Sequence, residues 1–319
     1  MPSKRIVALV TGASGRLGRK LQEALLAKGY EVRSLVKRKE IIHVLPAGVI
    51  PVIGDIRDRE KIQSAVENVE VIFHLAAIVR TEREKQEDIL QVNVDGTRNI
   101  MDAAESKGVE HVIYSSTVDV YGIRRKEVLN EESELRPVDI YGFSKANAEM
   151  VIGEYSRVPS TIFRISTIYG PGFEESFFKI FKSIKEGKAY IIGRGDNHLS
   201  IVHINDVVDA FLLAEERRNK GKRIFNLSDG NSYTQKSLFD LAADLLKVPR
   251  VERHLNRVLV NILFKRRGIS RDELRFLSSD RRIDITKIRN ELGFEPNISI
   301  EEGASELIER FLVKEKVVY

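Results

Sequence analysis

Tyr141 and Lys145 stand four residues apart in "YGFSKANAE", so on a helix they share one face. An ammonium beside a phenol lowers the phenol's pKa from about 10 toward neutrality, where it can exchange a proton with an alcohol or a carbonyl. The spacing alone equally fits a packed tyrosine next to a surface lysine. A second group lies far upstream. Gly12, Gly15 and Gly18 in "TGASGRLG" separate the apolar run Ile6-Val7-Ala8-Leu9-Val10 from "RKLQEALLAKG". In a strand-turn-helix the first glycine permits the tight turn, the second lets backbone approach a pyrophosphate, and the third lets helix and sheet pack closely. The helix N-terminus then offers free N–H groups to the phosphates. Gly-x-x-Gly-x-x-Gly is one residue longer than the common dinucleotide fingerprint.

About twenty positions past such a loop, an acidic residue would bond the ribose hydroxyls of NAD. This chain instead reads Leu35-Val36-Lys37-Arg38-Lys39. Lys37 and Arg38 suit a 2′-phosphate, so NADP(H) is the expected cofactor, with NAD(H) the alternative and a solvated basic turn the remaining reading. Arg16, beside the helix start, either assists with the phosphate or faces water.

These residues need a scaffold, and the first half of the chain describes one. Short apolar runs, among them "RIVALVT", "EVRSLV", "GVIPVIG", "VEVIFHLAA", "VEHVIYSS" and "STIFRIS", alternate with amphipathic segments. Continuous β-branched runs separated by helical periods predict parallel strands buried on both faces, an α/β doubly wound sheet. After about residue 167 longer helical patterns dominate, "FFKIFKSIKEG", "NDVVDAFLLAEERRN", "SLFDLAADLLK" and "EEGASELIERFLVKE", which predicts a smaller, mostly helical lobe. The expected division is a dinucleotide-binding domain over 1–166, with about 200–230 returning to it, and a substrate lobe over 167–199 and 231–319. "RHLNRVLVNILFKRRGISRDELRFL" reads as a helix with a basic outer face, packed on the core.

Composition narrows the chemistry. The 319 residues include no cysteine, which removes thiolate zinc sites, disulfides and cysteine nucleophiles. The six histidines show no pair at metal-ligand spacing, so no metal is expected. A net charge of +5, with 52 basic residues interleaved among 47 acidic ones, gives no clustered patch for nucleic acid. No run of 18 apolar residues and no secretory leader is apparent, and the expected location is the cytoplasm.

"TGASGRLG", "GDIRD", "HLAA", "QVNVDGTRN", "SSTVDVYG", "YGFSKANAE" and "RISTIYGPG" occur in the order and spacing of the extended short-chain dehydrogenase/reductase family, also called the NAD-dependent epimerase/dehydratase family. The resemblance continues through "GRGDNHLSIVHINDVVDAFLLA", "RIFNLSDG" and "RNELGFEPNISIEEG", nearly the whole chain. It implies a Rossmann-type fold and a catalytic set of Thr117, Tyr141 and Lys145. Tyr141 resembles the general acid/base, Lys145 the residue that binds the nicotinamide ribose and acidifies it, and Thr117 the hydroxyl that meets the reacting oxygen. The cofactor set that it implies comprises Gly12, Gly15, Arg16, Leu17 and Gly18 of the loop, Lys37 and Arg38, and Asp55 and Ile56 at the adenine. Leu75, Ala76 and Ala77 match the segment lining the cofactor, and Ser115 a position near the nicotinamide. Asn93 matches a position near the cofactor or one that sets a helix. Such proteins often form homodimers through two helices per subunit, here "DILQVNVDGTRNIMDAA" and "YGFSKANAEMVIGEY".

The substrate is less determined. Members acting on nucleotide sugars usually have Asn where this chain has Thr167, and a diphosphate-binding Arg where it has Leu199, with Arg275 and Arg282 as substitutes. Dehydratases usually carry an Asp-Glu pair where Val118-Asp119 stands, which argues against sugar dehydration. "VRSLVKR" and "SIVHINDVVDAFLLA" resemble the hydroxysteroid dehydrogenase and flavonol-reductase branch. The leading expectation is therefore an oxidoreductase moving hydride between nicotinamide and a small or medium alcohol or ketone. A UDP-sugar 4-epimerase with retained NAD is the alternative, and a non-catalytic dinucleotide-binding protein the third reading.

Overall fold

The computed structural model describes residues 5–79, 85–123, 127–218, 221–256, 277 and 279–317. The basic helix expected over 253–277 lies almost wholly outside them. Five consecutive buried residues form the central strand β1 (Val7–Thr11), which enters α1 (Arg16–Ala27) through the glycine turn. The chain then continues through β2 (Glu31–Val36), β3 (Ile50–Ile53), α2 (Arg59–Ala65), β4 (Val71–His74), α3 (Gln86–Leu90) and α4 (Gly96–Lys107) to β5 (His111–Thr117). Between β5 and the next long strand lie the short β6 (Val128–Leu129) and α5 (Ile140–Glu154), followed by β7 (Ser160–Ile165).

The second half begins with β8 (Thr167–Tyr169), α6 (Glu174–Lys185), β9 (Ile191–Ile192), β10 (His198–Leu199) and β11 (Ile201–His203). Next, α7 (Ile204–Glu216) leads to β12 (Lys222–Leu227), β13 (Tyr233–Thr234), α8 (Gln235–Leu246) and β14 (His254–Leu255). The chain ends with β15 (Arg282–Ile283), α9 (Thr286–Leu292) and α10 (Ile300–Val317).

Seven strands form one sheet in the order β3-β2-β1-β4-β5-β7-β12, every neighbouring pair parallel. The order reverses between β1 and β4, the crevice where a doubly wound sheet binds its ligand. The strand alternation splits β1 between two cores. Ala8 and Val10 face Leu21 and Leu25 of α1 and Phe211 of α7, while Val7 and Leu9 face Ile62 of α2, Ile100 of α4 and Ile152 of α5. Phe73, Phe163 and Phe211 are fully buried, each contributing roughly 1.5–3 kcal/mol of transfer free energy. A third core, of Phe181 and Ile184 (α6), Phe239 and Ala243 (α8) and Leu307 and Phe311 (α10), holds the helical second lobe. The fold is thus a Rossmann-type doubly wound sheet with a smaller, mostly helical lobe. Among the described residues no helix is long and apolar enough to cross a membrane.

Two local devices fix the crevice. In the glycine turn Gly12 has φ +66° and its carbonyl accepts from Gly15 N–H at 2.9 Å. A Cβ on Gly18 would stand 2.4 Å from that same carbonyl oxygen. Beneath the turn, the buried Gln22 amide donates to the carbonyls of Ala13 (2.6 Å) and Gly18 (2.8 Å), and its oxygen accepts from Ser34 of β2.

The second device is a buried chain across β1, β4 and α4. Thr11 Oγ1 accepts from Leu75 and Ala76 N–H, both at 3.1 Å, so its proton goes to His74 Nδ1 at 2.8 Å. Thr97 Oγ1 donates to Asn93 O at 2.6 Å, so it accepts from His74 Nε2–H at 2.9 Å. Both bonds require neutral imidazole with the proton on Nε2. Burial first, and then the charge of Lys145, push the His74 pKa down to about 3.

Replacing Gly18 by Ala forces backbone apart, and we expect a loss of about 1–3 kcal/mol. Urea denaturation measures it, with Gly221→Ala, which meets open space, as the near-neutral control. For His74 the folded pKa is depressed, so the unfolded state binds more protons between pH 6.5 and about 3. Its contribution is complete above pH 6.5 and is lost as pH falls through that window, at up to about 1.4 kcal/mol per pH unit. Stability measured from pH 7 to 4 should therefore fall less steeply in His74→Gln than in the parent.

Candidate functional site

At the C-terminal edge of the sheet the glycine turn, the end of β4 and the start of α5 converge. Leu75, Ala76 and Ala77 leave β4 directly against Gly12, whose added Cβ would lie 2.8 Å from Ala76 N. Gly15 caps α1 without any side-chain hydrogen bond, so the helix presents backbone N–H groups at the turn. Leu17 is buried beneath it and Arg16 stands at its mouth.

Asn93 is 1 % exposed, in a π-turn between α3 and α4. It accepts from Ile78 N–H (2.7 Å) and donates to Ile78 O (3.0 Å) and Ser144 Oγ (2.8 Å). It therefore ties the segment after β4 to α5. Ser144 donates in turn to Tyr141 O at 2.8 Å. Of the two readings that the sequence left open for Asn93, these bonds fit the helix-setting one.

Helix α5 starts at an Asp139 cap, whose carboxylate accepts from Gly142 N–H at 2.8 Å. In its first turn Tyr141 is half-buried, and one turn further Lys145 is only 2 % exposed. The Lys145 ammonium lies 4.2 Å from the centroid of the Tyr114 ring, a cation–π contact. Burial pushes the Lys145 pKa down to about 7, with Glu149, one turn further, opposing the shift. The sequence places Tyr141 and Lys145 on one face, and the fold buries that face against β5.

Glu149 is anchored by Arg164 of β7. The guanidinium reaches Glu149 through Nε (3.1 and 3.2 Å) and Nη2 (2.7 Å), both side chains 4 % exposed. Ser116 Oγ also donates to Glu149, and Arg164 Nη1 donates to Tyr121 Oη at 2.9 Å, which donates to Asn226 Oδ1 at 2.7 Å. Ser116 thus holds α5 against β5, whereas its neighbour Ser115 is half-buried on the other side of the strand.

Thr117 ends β5, its hydroxyl accepting from Asp119 N–H at 3.2 Å. Thr117 and Tyr141 share the wall of a cavity of about 370 Å³ between the sheet edge and the second lobe. Phe173, Phe177 and Ile180 line its far side, with Arg16 over the Phe173 ring at 5.7 Å. Ser166 Oγ, in the same wall and 5 % exposed, has no hydrogen-bond partner among the described residues. Two charged residues to which sequence reasoning assigned no site role complete it. Arg281, 7 % exposed, pairs with Asp119 Oδ1 and donates through Nε to Gly122 O at 2.7 Å. The sequence offered Arg282 and Arg275 as anion ligands instead. Arg282 pairs in strand β15 with β6 and does not line the cavity, and Arg275 lies outside the described residues. The signal was the adjacent Arg-Arg, since strand alternation sends neighbours to opposite faces.

At the β2 and β3 ends, Lys37 Nζ pairs with Asp55 Oδ2 at 3.0 Å, and Arg57 grips the same carboxylate. Arg57 first, then Lys37, holds the Asp55 carboxyl well below the usual carboxylate range. Arg38 is exposed beside this group. Ile56 is buried under Gly96, where a Cβ would come 2.8 Å from Ile56 Cγ2.

Removing the Glu149 charge would leave Arg164 buried and uncompensated. Glu149→Gln should cost about 3–5 kcal/mol by urea unfolding, whereas Glu154→Gln at the exposed Arg98 pair should leave the urea midpoint nearly unchanged.

The model of the NAD dependent epimerase/dehydratase family matches residues 8–228. A UDP-N-acetyl-alpha-D-glucosaminuronate decarboxylase of Bacillus cytotoxicus is 29% identical, covering 95% of this chain and 97% of the relative. Sterol demethylase protein B of Methylococcus capsulatus is 30% identical, over 91% and 94% respectively. The solved structure of MoeE5 in complex with UDP-glucuronic acid and NAD superposes with a TM-score of 0.78 at 25% identity, covering 97% of this chain and 99% of that one. Two sequence expectations lose ground here. The comparisons back the nucleotide-sugar alternative better than the alcohol/ketone reading, and they give no support to a preference for NADP over NAD. The chain is an enzyme belonging to the NAD-dependent epimerase/dehydratase family, the extended short-chain dehydrogenases/reductases.

Proposed function

We propose that the protein is an NAD-dependent enzyme acting on a nucleotide sugar, most simply a UDP-sugar epimerase or a related enzyme that oxidises a ring carbinol. The observation that carries this reading is the cavity beside Tyr141 and Thr117. Its wall holds the Asp119–Arg281 pair and the Ser166 hydroxyl, unpartnered among the described residues, polar groups suited to a hydroxylated ligand. A steroid-sized hydrocarbon would leave them desolvated, although the sterol-processing relative favours that second reading.

The residues present fit a dinucleotide. The glycine turn brings backbone so close to backbone that no Cβ fits at Gly12 or Gly18, α1 has no side-chain cap, and the buried Lys145 ammonium lies below the crevice. Gly12, Gly15, Gly18, Arg16 and Leu17 would hold the pyrophosphate, Asp55 and Ile56 the adenine, Leu75, Ala76, Ala77 and Ser115 the remaining wall, and Lys145 the nicotinamide ribose. The chemistry a bound nicotinamide supplies is reversible acceptance of hydride. Tyr141 takes the proton of the substrate hydroxyl as the carbinol C–H is lost, and returns it on reduction. Lys145 stabilises the phenolate, and Thr117 orients the substrate oxygen. On this reading residues 1–166 with about 200–230 form the dinucleotide-binding part, and 167–199 with 231–319 the substrate lobe. Phe143 and Met150, seven apart on α5 and 48% and 62% exposed, support pairing of that helix with a second copy.

Freshly purified protein, denatured and assayed by mass spectrometry, is expected to release NAD, and UDP-sugars are expected to raise its melting temperature where hydroxysteroids do not. Release of NADP with stabilisation by steroids would overturn the proposal. Tyr141→Phe should lower turnover by about 10²–10⁴ with unchanged NAD content, and undiminished turnover would remove Tyr141 from its role.

A further inference from the structure

We infer that Asp55 makes the site select NAD over NADP by neutralising Lys37, the residue whose charge would otherwise receive a 2′-phosphate. The inference rests on the dinucleotide reading of the crevice and is independent of the substrate.

Strands β2 and β3 are parallel neighbours with Val36 opposite Ile53. Lys37, the first residue past β2, and Asp55, two past β3, therefore emerge side by side at the edge where the adenine ribose would lie. Lys37 Nζ is 3.0 Å from Asp55 Oδ2. Arg57 supplies the remaining donors: N–H and Nε to Oδ1, each at 3.0 Å, and Nη2 to Oδ2 at 2.8 Å. Arg57 Nη1 also faces Asp88 of α3 at 3.9 Å. Within these four side chains two cations and two carboxylates balance, while Arg38 stands exposed beside them.

A phosphate dianion brought to Lys37 must either break the Lys37–Asp55 pair or sit against a carboxylate that Arg57 holds ionised and in place. The neutral 2′-hydroxyl of NAD meets neither obstacle. Discrimination by a repulsive element is as effective as an added attraction. Sequence position alone gives Lys37 the opposite meaning, because the carboxylate that cancels it comes from the next strand.

The test is a competition. Wild type, Asp55→Asn, Lys37→Met and the double variant are each equilibrated with equal NADH and NADPH, desalted, and the bound ratio is read by mass spectrometry. Asp55→Asn is expected to move the ratio toward NADPH by about tenfold, Lys37→Met to leave it within about twofold, and the double variant to return it near wild type. An unchanged ratio in Asp55→Asn, a gain that survives in the double variant, or a wild type that prefers NADPH would each overturn the inference. Binding of neither dinucleotide by wild type would instead defeat the reading of the crevice on which it rests.

Discussion

A buried ion pair between Glu149 and Arg164 holds the reactive helix to the sheet, and much of the site depends on it. Taking both charges out of water is costly, and the cost is offset only if the geometry is well satisfied. Here the carboxylate receives Arg164 through two nitrogens and Ser116 besides, while the guanidinium continues to Tyr121 and through it to Asn226 on the edge strand β12. Four elements are thereby locked in one register. Because Glu149 lies one turn from Lys145 and two from Tyr141, that register also sets where the ammonium and the phenol stand.

The crevice at the glycine turn is fixed by different means. The glycine turn is positioned by exclusion, since Gly12 and Gly18 sit where a single added carbon would strike backbone. The neutral His74, wedged between two threonine hydroxyls, keeps β1, β4 and α4 at the separation that opens the crevice. Neutrality matters twice. It lets both imidazole nitrogens serve the threonines with opposite polarity, and it avoids a second positive charge near the already desolvated Lys145. Asn93 then joins the end of β4 to Ser144 of α5, connecting the two halves of the site through one amide.

The far wall of the cavity belongs to the second lobe. Its own core supports α6, and Phe173, Phe177 and Ile180 bring an apolar wall over a cavity whose floor is polar. Arg281 reaches the pocket because β15 pairs with β6, which places a residue near the end of the chain beside the turn that follows β5.

Amino-acid order by itself determined the parallel sheet, the glycine turn and the Tyr141–Lys145 face, because each depends on local periodicity or on spacing within one turn. The resemblance to the family, rather than residue order, pointed to Leu75, Ala76 and Ala77, which leave β4 against Gly12. The sequence could not determine which charges are free. Lys37 reads as a phosphate ligand until β3 brings Asp55 to it, and of two adjacent arginines only Arg281 enters the cavity, as the pairing of β15 decides. Charge compensation acts through space at a few ångströms, and which residues come that close is set by strand pairing across long stretches of chain, so only the tertiary structure decided it.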